Sequence, residues 1–245
     1  MRLIAFGDSF TYGHGLKDCY EAGGAPGPIA SRFSYPQILA NLEKRKCINY
    51  SYPGQSNKQM AKKAVDFEYE KDDWVIFMWT FFDRHCVFEN RKDSPKEISA
   101  WHADDELLKQ EDIDVTDEQV RVAKSYYSDF YTDYDCAMSN LLYINGTHNI
   151  VEPQVEKVIH LCVPEVKNAQ DISEPNEHYS LQWTEHSSQF AWNPIKPFDH
   201  FKTYHMYPRA IDGWHPGQEA HKKFAEYLHI LLAQSLIVLF CLLAQ

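Results

Sequence analysis

The sequence predicts an α/β fold, a three-layer α/β/α sandwich around a mostly parallel central sheet. Three observations predict it. Short apolar runs recur along the chain, each followed by a loop or a Pro-containing turn, as strands buried on both faces usually are. Stretches with helical spacing lie between them, which implies right-handed βαβ crossovers. The 245 residues, 44% of them hydrophobic, suit a single core.

In chain order, the strands are expected at Arg2–Phe6, 47–52, Trp74–Trp79 and 157–163. A helix is expected over Tyr35–Leu42, opened by Ser34 and carrying Ile38, Leu39 and Leu42 on one face. A second covers 57–67, with Asn57 as its N-cap. Thr116, followed three residues later by Gln119, has the pattern of a capping box and opens a helix of about two dozen residues. Its stripe of Val120, Ala123, Tyr127, Phe130 and Tyr134 is expected to face the core. A last helix covers 218–232. Residues 1–234 are read as one domain, with 84–117 as a polar insertion containing Trp101, His102 and the acidic Asp104, Asp105 and Glu106. The Gly- and Pro-rich stretch 13–33 reads as a loop, and so does 168–199, whose Trp183 and Trp192 are candidates to wall a cleft. Residues 235–245 form an apolar tail, uninterrupted over 236–244, shorter than the ~20 residues a membrane span needs.

Two motifs at opposite ends carry the chemistry. The first strand breaks into Gly7-Asp8-Ser9-Phe10-Thr11-Tyr12-Gly13, and the last third holds Asp212-Gly213-Trp214-His215-Pro216-Gly217. A serine hydroxyl becomes a nucleophile when a base takes its proton and a carboxylate fixes the tautomer of that base. Ser9, His215 and Asp212 can fill these roles, with Asp212 and His215 close enough in sequence to face the same way. Taken singly, the first motif is also a turn or helix cap and the second a surface turn. Ser9, Gly54 and Thr80 each follow an expected strand. In a parallel sheet they therefore gather at one edge, where ligands bind.

On these residues the chain resembles the SGNH (GDSL-like) hydrolases. Gly7-Asp8-Ser9 matches the first block of the family, and Asp212-x-x-His215-Pro216 the last. Gly54, in the run from Asn49 to Asn57, matches the glycine of the second block. The resemblance implies an SGNH-hydrolase-like, flavodoxin-like fold and a catalytic Ser9, Asp212 and His215. It also implies an oxyanion site made by backbone N–H groups of Ser9 and Gly54. The next block departs from the family pattern. The family has Gly-x-Asn-Asp, with the asparagine donating to the oxyanion, whereas this chain puts Thr80 and Phe82 in the glycine and asparagine positions. Phenylalanine cannot donate, so Thr80 is the expected substitute, and loss of one such donor typically costs ~10²–10³ in rate.

The expected activity is an esterase acting through an acyl-enzyme on Ser9, on small acyl or O-acetyl esters, including acetylated glycans, with acyl transfer as a close variant. The alternative is a non-catalytic carbohydrate- or partner-binding module that keeps the fold. The net charge of −11 argues against nucleic acid as a partner. The six cysteines are scattered, and with no secretory signal before the first strand they are expected to be reduced in a cytoplasmic protein. His200, His205, His215 and His221 cluster late, but none forms a metal-ligand pattern with a companion carboxylate. Neither a metal nor a cofactor is expected.

Overall fold

The computed structural model describes the chain except for residues 22, 89–94, 105–115, 163–206 and 244–245. Trp183, Trp192, Asp105, Glu106, His200 and His205 lie outside the described residues, as do the side chains of Trp101 and of 234–243.

Strands β1 (Arg2–Phe6), β2 (Lys46–Asn49), β3 (Trp74–Trp79) and β6 (Lys157–Cys162) form a four-stranded parallel sheet in the order β2-β1-β3-β6. Side chains alternate between the two faces of a strand, and the core divides accordingly. Leu3, Ala5, Trp74, Ile76 and Met78 pack with Tyr35 and Leu39 of α2 (Tyr35–Leu42) and with Phe224 and Leu228 of the C-terminal helix. Ile4, Phe6, Val75, Phe77 and Trp79 pack on the other face with Met60 and Ala64 of α3 (Asn57–Val65) and with Leu141 and Ile144 of a later helix. This is the expected three-layer α/β/α sandwich with a parallel central sheet.

Several boundaries differ from the sequence expectation, each for a local reason. Strand β2 stops at Asn49 rather than at residue 52. The Asn49 side chain turns the chain by donating to the Thr11 carbonyl at 2.9 Å and accepting from the Ser51 N–H at 3.1 Å. Helix α3 is capped by Ser56, not Asn57. The Ser56 hydroxyl and the Gln59 amide complete a capping box, while the Asn57 side chain turns inward to the backbone of Thr80. The long helix expected from Thr116 is two helices, α4 (Asp117–Asp129) and α5 (Asp133–Val151), because Thr132 caps a new start by accepting from the Asp135 N–H. Phe130 and Tyr134 consequently sit at the break, 74% and 72% exposed, instead of in the core. Within 84–117, β4 (His85–Val87) and β5 (Lys96–Ile98) pair antiparallel as a small second sheet. The final helix, α6 (Gln218–Leu243), continues well past the expected end at 232. Among the described residues no helix is long and apolar enough to cross a membrane. Cys19, Cys47, Cys86 and Cys136 are thiols rather than disulfides.

Helix α2 begins under His221 of α6. Ser34 makes no side-chain cap, and the Tyr35 N–H instead donates to Nδ1 of the fully buried His221 at 3.2 Å. Only a neutral imidazole can accept this bond, and burial lowers the His221 pKa to about 3. Below pH ~6.5 the unfolded chain therefore takes up a proton that the folded chain refuses, and stability falls as pH falls toward that lower value. Buried His160, which accepts from the Trp79 indole at 2.9 Å and whose pKa is also lowered by burial, acts in the same direction. Thermal melts between pH 7.5 and 5 should show a declining midpoint, and a His221→Gln variant should show a shallower decline over the same window. Equal slopes would mean that His221 is not the titrating group.

Candidate active site

Ser9 stands at the carboxyl edge of the sheet because the chain turns sharply after β1. A Cβ on Gly7 would collide with the Thr11 side chain. Asp8 caps the single turn α1 (Ser9–Tyr12), its Oδ1 accepting from the Phe10 N–H at 3.1 Å, and Gly13 ends that turn at φ +77°. Ser9 is buried, and among the described residues its hydroxyl makes no hydrogen bond.

The Asp212–His215 loop docks onto the segment that follows α1. The Ile211 N–H donates to the Gly15 carbonyl at 2.9 Å, and the Ala210 N–H closes the loop on the His215 carbonyl at 3.0 Å. Oδ1 of Asp212 accepts from the Trp214 and His215 N–H groups at 2.9 and 3.0 Å. Oδ2 takes the Nδ1 proton of His215 at 2.6 Å. Burial alone would raise the Asp212 pKa, but the His215 ring and these two backbone donors outweigh it and hold the pKa at about 2. The carboxylate thus fixes the imidazole tautomer, with the Nε2 lone pair turned outward from the pair. The His215 ring lies 5.5 Å from the Phe10 ring and 5.0 Å from the His14 ring, centroid to centroid. The two distant motifs therefore meet on one side of the molecule. His14 is a neighbour that the sequence reading did not single out. Its pKa is lowered, first by burial and then by the charge of His215.

The loop carrying Gly54 is tied to the same turn. The Tyr50 and Tyr52 N–H groups donate to the Ala5 and Gly7 carbonyls at 2.8 and 3.3 Å. Gly54 has φ +83°, a conformation that favours glycine. Among the described residues neither the Ser9 nor the Gly54 N–H is engaged in a hydrogen bond. Glu97 of β5 comes beside this loop, its Oε2 lying 3.1 Å from where a Cβ on Gly54 would sit. Burial pushes the pKa of the Glu97 carboxyl up.

Thr80 ends β3, fully buried, with its proton already given to Oδ2 of Asp8 at 2.7 Å. Arg84 completes a three-residue cluster by donating from Nη1 to Asp8 Oδ2 at 2.9 Å and to Thr80 Oγ1 at 3.0 Å. Phe82 is 1% exposed and fills the core between α3 and α5. The buried hydrogen bond from Asn57 Nδ2 to Asn140 Oδ1 at 2.7 Å, the bond from Asn140 Nδ2 to the Phe82 carbonyl at 3.0 Å and the role of Arg84 were not anticipated from sequence, which offered Asn57 only as a helix cap. The only local signal of these residues was polarity beside apolar runs, and their partners lie far away along the chain.

No protein-family model matches the sequence, and no curated protein matches it. Solved structures do resemble it. A carbohydrate esterase family 2 enzyme with a carbohydrate-binding domain, from Corynascus thermopiles (Myceliophthora fergusii), superposes with a TM-score of 0.55 at 12% identity, covering 96% of this chain and 66% of that one. A variant of Axe2, an acetyl-xylooligosaccharide esterase from Geobacillus Stearmophilus, gives 0.51 at 17% identity, covering 92% and 90%. A member of the lipolytic G-D-S-L family from Veillonella parvula gives 0.47 at 10%, covering 92% and 94%. The chain shares the fold of the two esterases with TM-scores of 0.55 and 0.51.

Two substitutions probe this geometry. Gly15 has φ +79°, and a Cβ there would collide with the Asp212 carboxylate. Gly15→Ala should cost on the order of 1–2 kcal/mol in backbone strain alone and displace Asp212, read as a lower melting temperature. Arg84→Met should leave the buried Asp8 charge without its guanidinium and cost about 3–5 kcal/mol in denaturant unfolding. Combining it with Asp8→Asn should cost less than the sum of the single changes. Additive costs would rule out the coupling.

Proposed function

We propose that this chain is a serine hydrolase of the SGNH type that cleaves carboxylic esters through an acyl-enzyme on Ser9. The observation that carries the reading is the Asp212–His215 pair, bonded at 2.6 Å in a loop whose imidazole lies against Phe10, the residue after Ser9. In the proposed reaction Nε2 of His215 takes the Ser9 proton as Oγ attacks the ester carbonyl. Asp212 steadies the imidazolium, and the same proton passes to the departing alcohol. Water, activated by His215, then releases the acid, and an alcohol in place of water gives acyl transfer.

The N–H groups of Ser9 and Gly54 serve as oxyanion donors, because both are unengaged among the described residues. Thr80 enters differently from the sequence expectation. Its one hydroxyl proton is held by Asp8, so it acts by fixing the residue next to the nucleophile. Small acyl and O-acetyl esters, including those on carbohydrate, are the proposed substrates. The acetyl-xylooligosaccharide and carbohydrate esterases among the structural neighbours support that class.

A non-catalytic binding module is the second reading, favoured by the phenylalanine at position 82. A fluorophosphonate probe separates the two. Wild-type protein should label at Ser9 and hydrolyse p-nitrophenyl acetate, Ser9→Ala should not label, and His215→Ala should lower turnover by about 10⁶-fold. Folded wild-type protein that fails to label would sink the hydrolase reading.

A further inference from the structure

His14 borders the Asp212–His215 pair and has no role in the proposed reaction. This histidine comes from the loop after α1, whereas Asp212 and His215 come from the docked loop two hundred residues on. Ligand-capable atoms of the three side chains all lie within 4.8 Å of one another. Nδ1 of His14 is buried and makes no hydrogen bond among the described residues. An unpartnered buried polar atom is unfavourable, and in the neutral tautomer protonated at Nε2 the Nδ1 lone pair is available to a cation.

We infer that His14, Asp212 and His215 form an inhibitory site for a divalent transition-metal ion, with Zn²⁺ the best match. Two imidazoles and a carboxylate are a donor set that zinc favours, with a fourth position open to water. Ligand atoms around a tetrahedral zinc stand about 3.4 Å apart, given bonds of ~2.0–2.2 Å. Binding would therefore replace the 2.6 Å Asp212–His215 hydrogen bond, with release of its proton to solvent, by bonds to the ion, and a shift on the order of 1 Å would bring in His14. All three residues are partly exposed, so an ion can enter. The chain's net charge of −11 favours a cation's approach. The two imidazoles meet edge to face, with 85° between their planes. The ion is not a catalytic cofactor here. Once it holds His215 and Asp212, the imidazole can no longer accept the Ser9 proton, so occupancy closes the site. The inhibitory half of the inference rests on the proposed hydrolase reading, and the binding half does not.

The test uses the full chain, freed of metal with EDTA and then dialysed. Co²⁺ added to folded wild-type protein should produce one equivalent of visible d–d absorption, and Zn²⁺ should remove that signal. Zn²⁺ should also block fluorophosphonate labelling, and EDTA should restore it. Ser9→Ala should keep the Co²⁺ absorption. His14→Ala should label like the wild type without metal, lose the absorption, and resist Zn²⁺ at least about tenfold better. His14→Gln provides a second removal of the imidazole should the alanine variant fold poorly. Absence of the absorption in folded wild-type protein overturns the site, and so does equal zinc sensitivity in a folded His14 variant. Failure of metal-free wild type to label would instead overturn the hydrolase reading, with the Co²⁺ titration still deciding the site.

Discussion

Asp8 is the residue on which the geometry of this sheet edge depends. Its carboxylate has no exposed surface, yet it lies between two apolar strands that would exclude a bare charge. Three donors from three places stabilise it: the Phe10 N–H of its own turn, the Thr80 hydroxyl at the end of β3, and the Arg84 guanidinium beyond. Each bond fixes a different element. The first starts α1 and so orients Ser9. The second holds the end of the neighbouring strand against that turn. The third draws the chain leaving β3 back over it, with the guanidinium also lying above the Phe81 ring. An apolar core would bring these strands together without fixing the angle at which the chain leaves them. The buried charge, directional and costly to leave unpaired, supplies that constraint.

The second constraint is the closure of the two termini onto each other. The Asp212 loop does not fold as an independent unit. It hydrogen-bonds to Gly15, and its backbone donors converge on its own carboxylate. Gly15 has to be glycine twice over, for its positive φ and for the space that Asp212 occupies. The loop is followed by α6, which packs beside α2 on the sheet and caps that helix through His221. The tertiary packing of α6 on α2 and the placement of His215 therefore depend on one another.

Much of this was legible in the sequence because the signals are local. Strands β1 and β3 are continuous apolar runs, as burial on both faces requires, and the structure reproduces both at their expected bounds. Helix α2 likewise matches its Ser34 start and its Leu42 end. The strand pattern brings Ser9, Gly54 and Thr80 to one edge but does not place His215, whose approach to Phe10 was expected from the pairing of the two motifs alone. The illegible parts involve choices between near-equal local signals, or partners far apart in sequence. Ser56 and Asn57 are both good caps, and only Thr80, 23 residues later, decides between them by taking Asn57 into the interior. Thr116 and Thr132 both cap helices, so a periodicity that runs through both conceals the break between them. The roles of Thr80 and Arg84 could not be read, because Asp8, 72 and 76 residues away, determines them.

Phe82 stands where the pattern that the sequence resembles has asparagine. Phe82 is buried with Met60, Trp79 and Leu141, so this position contributes to the core on the α3 and α5 side rather than to the cleft. In the proposed reaction the developing oxyanion then has two backbone donors and no asparagine side chain. Glu97 stands beside Gly54, close to one of those donors. An ionised carboxylate there would oppose the developing charge, whereas a neutral carboxyl would not. Burial raises the Glu97 pKa, and Gln59, Arg84 and Lys63 pull it back. The same Arg84 that pairs with Asp8 is thus one of three groups that favour the ionised form of Glu97. Because electrostatic terms act most strongly where water is excluded, the protonation state of Glu97 would, in the proposed reaction, bear directly on the charge that the Gly54 N–H has to stabilise.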